Sequence, residues 1–251
     1  MVKFRIIAVL LILDGKIVQS EKFLHTNTIH YDVEIFTSSL NEWCVDEIIV
    51  LDVSKKKDHK SFIKNVLKIS KKCFVPLSIG GWVNNFNYAK ELFNSGADKI
   101  VVNSLLHSNL KLVDKIASKY GVQSIIASVD YKLIKDKKKI FIDRGKKKTD
   151  FSPEKFCQKI SKHVGEILLT SIDHEGMMNG YDTKVLTKVS KSIKNPIIIF
   201  GGAYKNEHFL EGIKSGANAV AAANVFHYKE LATLKLNRYL KNQNIHVRKI
   251  F

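Results

Sequence analysis

The amino-acid sequence predicts an α/β protein that folds as a single (β/α)8 TIM barrel built from two similar half-barrels. Its 251 residues match the usual length of one such barrel. Eight short apolar runs alternate with stretches that contain apolar residues at helical spacing, which is the pattern of parallel βα units. Several segments of the first half also recur about 120 residues later, and this recurrence indicates an internal duplication.

The eight strand candidates are apolar runs of a length that suits strands covered on both faces. They span residues 5–11, 47–53, 75–79, 99–103, 124–130, 166–171, 196–200 and 219–223. Apolar residues at helical spacing follow three of these runs, over residues 86–95, 110–120 and 206–215. Strand and helix therefore alternate along the chain, and no linker-like stretch divides it.

The duplication is carried by matching segments at corresponding places in the two halves. Pro76-Leu-Ser-Ile-Gly-Gly81 is echoed by Pro196-Ile-Ile-Ile-Phe-Gly-Gly202, and Ser95-Gly-Ala by Ser215-Gly-Ala. We therefore expect one domain over residues 1–251, with half-barrels at about 1–120 and 121–251. An open doubly wound sheet is the alternative, but it does not predict a duplication, and it leaves sheet edges that a closed barrel removes.

The formal net charge of +17 indicates a preference for anionic ligands. The lysines are scattered and lack the clustering with aromatic residues that marks a nucleic-acid-binding surface. We therefore expect phosphorylated small molecules, and not nucleic acid, as partners. The basic segment 135–149 is expected to be an exposed excursion after the fifth strand.

The cysteine pattern predicts neither a metal site nor a disulfide framework. Cys44, Cys73 and Cys157 are far apart and form no CxxC pair, which favours a reducing, cytoplasmic location. No run reaches the roughly 18 apolar residues of a membrane-spanning helix, so no membrane partner is expected. No motif indicates a cofactor.

Strand ends supply the catalytic and binding candidates, because (β/α)8 enzymes carry their active sites at the C-terminal ends of the strands. Asp130 closes the run 124–130 and is the catalytic candidate. Two glycine pairs follow strands at equivalent positions of the two halves, where backbone N–H groups can approach an anion, and they predict two phosphate sites that face each other across the barrel mouth. Ordinary βα turns are the alternative, since glycine punctuates turns of many kinds. The candidate phosphate-binding residues are Gly80, Gly81, Asn103, Ser104, Gly201, Gly202 and Asn224.

These motifs resemble the cyclase subunit of imidazole glycerol phosphate synthase, and the resemblance runs almost end to end. Its most specific stretch is Gly165-Glu-Ile-Leu-Leu-Thr-Ser-Ile-Asp173 with Gly180-Tyr-Asp182, which the related isomerase of the same pathway lacks. Arg5-Ile-Ile-Ala8, Asp14-Gly15 and Val225-Phe-His227 also match.

The resemblance implies a reaction that uses ammonia from a partner. A glutaminase subunit would release ammonia at the N-terminal face of the barrel, and the ammonia would pass to the opposite mouth. There a bis-phosphorylated ribulosyl intermediate would be cleaved and cyclised to imidazole glycerol phosphate and an aminoimidazole carboxamide ribotide. Two carboxylates would serve as general acid and base, one on the first strand of each half-barrel.

This chain departs from the family at one of the two acids. Aligning Ile6-Ile-Ala8 with Ile125-Ile-Ala127 places Leu11 opposite Asp130, and a leucine cannot transfer a proton. Compensation by the nearby Asp14 is the alternative, but Asp14 is itself a family position. Further departures are Gln19 for a lysine, Trp82 for a third glycine, Phe200 and Asn224 for small hydroxyl residues, and Glu175 for an aspartate.

The ammonia side matches the family fully. The resemblance assigns the gate at the bottom of the barrel to two basic and two acidic residues, here Arg5, Glu47, Lys99 and Glu166. A purely structural ion-pair layer is the alternative, because buried ion pairs need no function to persist. The resemblance also assigns Asp98 to contact with the glutaminase.

Three functions are compatible with a barrel that matches the family at its ammonia gate and departs from it at one of the two acids. The first is the family's cyclase–lyase reaction, slowed by Leu11. The second is a paralogue that passes ammonia to another acceptor, such as a surface-polysaccharide sugar that is amidinated. The third is a barrel that only activates the glutaminase. Leu11, Gln19 and Trp82 favour the second and third, whereas Asp130 and the glycine pairs favour the first.

Overall fold

A closed ring of eight parallel strands forms the centre of the molecule. The computed structural model describes residues 3–228 and 231–249. Its twelve strands are β1 (Arg5–Leu13), β2 (Lys16–Glu21), β3 (His25–His30), β4 (Glu47–Asp52), β5 (Leu77–Gly80), β6 (Lys99–Val102), β7 (Ile125–Ile134), β8 (Lys137–Ile142), β9 (Lys147–Lys148), β10 (Glu166–Ser171), β11 (Ile197–Phe200) and β12 (Ala219–Ala222). The barrel order is β1-β4-β5-β6-β7-β10-β11-β12, and β12 pairs back with β1. The predicted (β/α)8 barrel and its eight strands are confirmed.

Helices follow the barrel strands and cover the outside of the ring. They are α1 (Val33–Glu42), α2 (His59–Lys72), α3 (Phe86–Asn94), α4 (Ser104–Ser108), α5 (Leu110–Tyr120), α6 (Pro153–Ile160), α7 (Thr183–Ser192), α8 (Asn206–Lys214), α9 (Val225–Tyr228) and α10 (Ala232–Asn242), with short 3-10 helices at Val122–Ser124 and Ser161–His163. Six helices begin at an Asp, Asn or Ser whose side chain accepts a backbone N–H of the first turn, each cap stabilising its helix by about 1 kcal/mol. The three helices predicted from spacing are confirmed.

Alternate residues of each barrel strand face opposite sides of the wall, because side chains in a strand alternate with a period of two. Ile6 and Ala8 belong to the large core between strands and helices, whereas Ile7 and Val9 belong to the smaller core inside the ring. Arg5 and Leu11 share the inward parity of Ile7 and Val9. The inside of the ring therefore carries charges at its N-terminal end and a leucine at its C-terminal end.

The strand register confirms the internal repeat and corrects one part of it. Ile7 pairs with Glu47, and Ile126 pairs with Glu166, so the first two strands of each half correspond as the sequence predicts. Leu77 pairs with Ile48, and Ile197 with Ile167. The equivalent of Gly81 is therefore Gly201, and the equivalent of Trp82 is Gly202.

The two glycine pairs are thus offset by one residue, and the prediction that they are equivalent is wrong. Gly80 lies inside strand β5, where it corresponds to Phe200 of strand β11. A Cβ atom at Gly80 would lie 2.6 Å from Cβ of Val101, so packing within the barrel wall accounts for this glycine. The two prolines, Pro76 and Pro196, align the halves correctly. The second segment, however, has one more residue between its proline and its glycine pair than the first segment has.

Two antiparallel arms extend the first strand of each half beyond the barrel mouth. The first arm (residues 16–30) comprises β2 and β3, and the second arm (residues 137–148) comprises β8 and β9. The second arm occupies much of the segment expected to be an exposed excursion. Ile140, Phe141 and Ile142 of this arm are buried, so that expectation is wrong for its apolar half.

Within residues 3–228 and 231–249, no helix combines the length and the apolar character needed to cross a membrane.

Candidate active site and ion-pair ring

Four charged side chains close the N-terminal end of the barrel in an alternating ring. Arg5 Nη1 lies 2.7 Å from Glu47, and Arg5 Nη2 contacts Glu166. Lys99 Nζ lies 3.4 Å from Glu47 and 3.0 Å from Glu166. Each cation therefore bridges both carboxylates, and the structure brings together all four residues that the sequence had singled out.

The buried charges of the ring have hydrogen-bond partners as well as ion-pair partners. The Glu47 side chain is 1% exposed, and its Oε1 accepts a further hydrogen bond of 2.7 Å from the Ser78 hydroxyl. Burial opposes the charge of Arg5, but hydrogen bonding and Coulomb attraction to Glu166 and Glu47 outweigh it, so that the pKa of Arg5 is raised. The guanidinium of Arg5 therefore keeps its charge, and the four side chains are joined by a network of charge-assisted hydrogen bonds.

Asp98, the expected partner contact, lies exposed at the same end of the barrel. Its Oδ2 accepts the backbone N–H of Leu77 at 2.8 Å. In the second half, Asn218 makes the equivalent bond to the backbone N–H of Ile197 at 2.9 Å. Because a neutral amide suffices for this local bond, the charge of Asp98 has no local requirement.

A cavity of about 920 Å³ opens at the C-terminal end of the barrel. Asp130 and Thr170 lie on its floor, and Gly81, Asn103 and Ser104 lie along one side. The cavity therefore joins the catalytic candidate to three of the predicted phosphate-binding residues. Its size is that of a site for a substrate-sized ligand.

Asp130 is held at the floor by neutral donors. The Ser128 hydroxyl donates to Oδ1 at 2.8 Å, and the Asn103 amide donates to Oδ2 at 3.2 Å. Burial raises the pKa of Asp130 to about 6, although hydrogen bonds from Ser128 and Thr170 act in the opposite direction. A carboxyl group with this pKa can accept and release a proton near neutral pH, as a general acid–base group must.

Leu11 occupies the equivalent position on the first strand, as the register shows. Leu11 pairs with Leu51, four residues after the pair of Ile7 with Glu47. Asp130 pairs with Thr170, four residues after the pair of Ile126 with Glu166. Leu11 is fully buried among the apolar residues inside the ring. Asp14 is exposed and is not among the residues that line the cavity, so it supplies no carboxylate in place of Leu11.

The second half has much less space at its mouth. Gly201, Gly202 and Asn224 line a separate pocket of about 20 Å³, which admits about one water molecule but not a phosphate group. Phe200 belongs to the same lining, and the Asn224 amide donates to the backbone carbonyl of Ser20 at 3.3 Å. The structure therefore does not bring the two predicted phosphate sites into one open cavity.

Glu175 ties the first arm to the second half. Its carboxylate accepts hydrogen bonds from the Ser20 hydroxyl at 3.1 Å and the Phe23 N–H at 3.0 Å, while its carbonyl accepts the Lys22 N–H at 2.9 Å. Burial raises the pKa of Glu175 to about 7. Phe23 and Leu24 of this arm line the large cavity, so the hydrogen bonds of Glu175 fix the position of this part of the cavity wall.

Three residues of the cavity were not foreseen as site residues. Asp52 lines it, and burial raises the pKa of that carboxyl. Trp82 was noted only as a departure, and Arg144 only as part of a basic segment. Arg144 reaches the cavity because the second arm folds back over the first half, and no local sequence signal predicts that fold-back.

Gln19 is not among the residues that line this cavity. Its side chain accepts a hydrogen bond from the Tyr228 hydroxyl beside helix α9. Among the described residues no group of three or more His, Cys, Asp or Glu side chains could hold a metal ion.

Comparison with known proteins gives a consistent result. The family model described as "Histidine biosynthesis protein" matches residues 5–232. A protein of Clostridium botulinum (strain Okra) named imidazole glycerol phosphate synthase subunit HisF is 37% identical over 253 residues, which cover 99% of this chain and 100% of the relative. Proteins of the same name from Chlorobium phaeovibrioides and Thermotoga sp. (strain RQ2) are each 35% identical, over 97% of this chain and over 98% and 97% of their own lengths.

Proposed function

The chain belongs to the histidine biosynthesis protein family as a HisF-type cyclase subunit of imidazole glycerol phosphate synthase, and we propose that the two ends of its barrel have separate roles. A glutaminase subunit is the expected partner of such a subunit. We infer that the glutaminase docks at the N-terminal face, where the ion-pair ring and Asp98 lie. Ammonia then reaches the mouth, where Asp130 acts on a phosphorylated ribulosyl acceptor.

The observation that carries this proposal is the pairing of a closed ring with an acid at opposite ends of one barrel. Arg5, Glu47, Lys99 and Glu166 interact at the bottom, and Asp130, with a pKa of about 6, lies on the floor of the cavity above. A ring whose cations are held by ion pairs can open when one cation moves away. That property suits a passage for ammonia better than an apolar plug would.

The cyclase step is slowed in this chain because only one of the two acids is present. Cleavage and ring closure need proton transfers in opposite senses, and Leu11 offers no proton. Loss of one member of an acid–base pair lowers the rate by about 10²–10⁴-fold. The other carboxylates of the cavity lining that the structure describes are Asp52, which leaves strand β4 on the outward parity, and Asp143, which lies in the turn of the second arm.

The test compares nitrogen donors on the complex with a HisH-type glutaminase. With the bis-phosphorylated ribulosyl substrate and an ammonium salt, we expect imidazole glycerol phosphate at a rate about 10²–10⁴-fold below that of a relative with both acids. Equal rates would contradict the slowed step. Lys99→Ala should lower turnover with glutamine while turnover with ammonium is retained, whereas a parallel loss with both donors would contradict the gate.

A second candidate function is delivery of ammonia to a different acceptor. The small pocket at Gly201 and Gly202, about 20 Å³ in volume, favours this candidate because a substrate with two distant phosphates needs two open sites. The ring and the exposed Asp98 would serve the same ammonia transfer in either case. Glutaminase stimulation without any imidazole glycerol phosphate would favour this candidate, and robust product formation would exclude it.

A further inference from the structure

Trp82 adopts a backbone conformation that favours glycine. Its φ is 58°, in the left-handed region, and its repeat equivalent in the second half is Gly202, with a φ of 101°. A side chain at such a position is strained unless its contacts compensate. Contacts of the indole ring must therefore compensate the strain at this position.

The indole ring holds an arginine of the second arm. The Cζ atom of Arg144 lies 4.7 Å from the centroid of the Trp82 ring, within the range of a cation–π contact. Arg144 Nη1 donates to the backbone carbonyl of Ser54 at 2.7 Å. These two contacts fix the guanidinium between the loops that follow strands β4 and β5, although Arg144 itself comes from the turn between β8 and β9.

The guanidinium keeps unused capacity for a ligand. Its side chain is 24% exposed, and Arg144 lines the large cavity together with Gly81 and Ser104. Nε is buried and has no hydrogen-bond partner among the described residues, and its ion pair with Asp143 is long, at 4.0 Å. Lys55, Lys146 and Lys147 also line this rim and add positive charge.

We propose that Arg144 is a binding residue for the phosphate at the Gly81 end of the cavity, and that Trp82 is the residue that positions it. The planar fork of a guanidinium matches two phosphate oxygens, which a lysine cannot do. The proposal rests on the proposed function in one respect, that a phosphorylated acceptor enters this cavity. The second half has no counterpart, because Gly202 offers no ring.

The experiment measures binding of D-ribose 5-phosphate to the full chain by 31P NMR titration, with ribose as the phosphate-free competitor. We expect Arg144→Ala to raise the Kd about tenfold or more, since hydrogen bonds to charged groups are the strong ones. Arg144→Lys should recover only part of the loss. The matched control is Lys137→Ala, which removes one exposed charge from the far end of the same arm and should leave the Kd within about twofold.

Trp82 is tested in the same titration. Trp82→Phe keeps an aromatic face and should bind within about twofold of the unmodified chain, whereas Trp82→Gly should raise the Kd as much as Arg144→Ala does. Because glycine prefers this φ, Trp82→Gly should not lower the melting temperature, which separates a positioning role from a structural one. The double variant should bind no more weakly than either single variant, since residues acting as a unit are not additive.

Several results would overturn the inference. These are an unchanged Kd for Arg144→Ala, tight binding by Trp82→Gly, fully multiplied losses in the double variant, or no binding of ribose 5-phosphate by the unmodified chain. The cyclase assay is a separate measurement. If the unmodified chain forms no imidazole glycerol phosphate, and Arg144→Ala weakens the binding of ribose 5-phosphate, the proposed function is contradicted and this inference is supported. The reverse pattern supports the function and contradicts the inference.

Discussion

At the scale of single residues, the mouth of the barrel carries two very different side chains at equivalent places. Leu11 and Asp130 stand at equivalent places on equivalent strands, yet one is fully buried in the inner core and the other is held on the cavity floor by Ser128 and Asn103. Leu11 therefore contributes apolar packing where its repeat equivalent contributes a carboxyl group. The neighbours of Leu11 in the inner core, which include Val9 and Val18, are apolar.

We predict that Leu11→Asp alone does not restore ordinary cyclase rates. The new carboxylate would lie between Val18 and Leu51, without a donor, so its pKa would rise and the free energy of unfolding would fall by about 2–4 kcal/mol. Urea denaturation and ammonium-dependent turnover measure the two effects. Leu11→Asn is the control for shape, and recovery to the rate of a two-acid relative would contradict the prediction.

The sequence predicted the residues of the site better than their neighbourhood. The family resemblance named Arg5, Glu47, Lys99 and Glu166, and because each opens a strand, the barrel fold places all four at its N-terminal end. Trp82 and Arg144 meet through a contact between distant segments, which no local pattern encodes. The narrowness of the Gly201 pocket likewise depends on packing against Phe200 and the first arm, and packing is not visible in composition or spacing.

At the scale of elements, the two arms were the main part of the fold that sequence reasoning missed. Their strands carry Gln19, His25, Asn27 and several lysines, so their alternation of apolar and polar residues is weak. They gain their order from contacts at the barrel mouth. The first arm depends on the buried carboxyl group of Glu175, which receives hydrogen bonds from Ser20 and Phe23.

We predict that Glu175→Gln makes the protein less sensitive to alkaline pH. The folded pKa of about 7 exceeds the ordinary 4.5, so the folded state binds this proton more tightly than the unfolded chain does. The resulting stability is fully present below about pH 4.5 and is lost as the pH rises through about 7. Relative to the unmodified chain, the variant should gain about 3 kcal/mol between these limits, measured by urea denaturation across the pH range. A pH-independent difference would contradict the assignment.

At the scale of the whole molecule, the duplication produces two ends with different degrees of symmetry. The ion-pair ring draws one acid from each half, Glu47 and Glu166, and both bind the same two cations. The mouth is asymmetric, with a large cavity over the first half and a small pocket over the second. The two halves therefore differ more at the C-terminal end of the barrel than at the N-terminal end.

We predict that Glu47→Gln destabilises the chain by about 3–5 kcal/mol, because it leaves two cations to share one buried carboxylate. The unfolding free energy from urea titration measures this effect. Glu34→Gln is the matched control, since Glu34 meets Lys68 only at 4.0 Å on the surface and should change stability by less than about 1 kcal/mol. Equal effects of the two substitutions would show that the ring contributes no more than a surface pair.

Each arm rests on the half of the chain that it does not belong to. Lys22 of the first arm binds the carbonyl of Glu175, while Asp143 N–H and Arg144 of the second arm bind Ser104 and the carbonyl of Ser54. Two separate copies of a half-barrel would already exchange their arms in this manner, as in a domain-swapped dimer. Joining the copies into one chain would then alter none of these contacts, and a chain severed near Gly121 should reassemble from its two fragments.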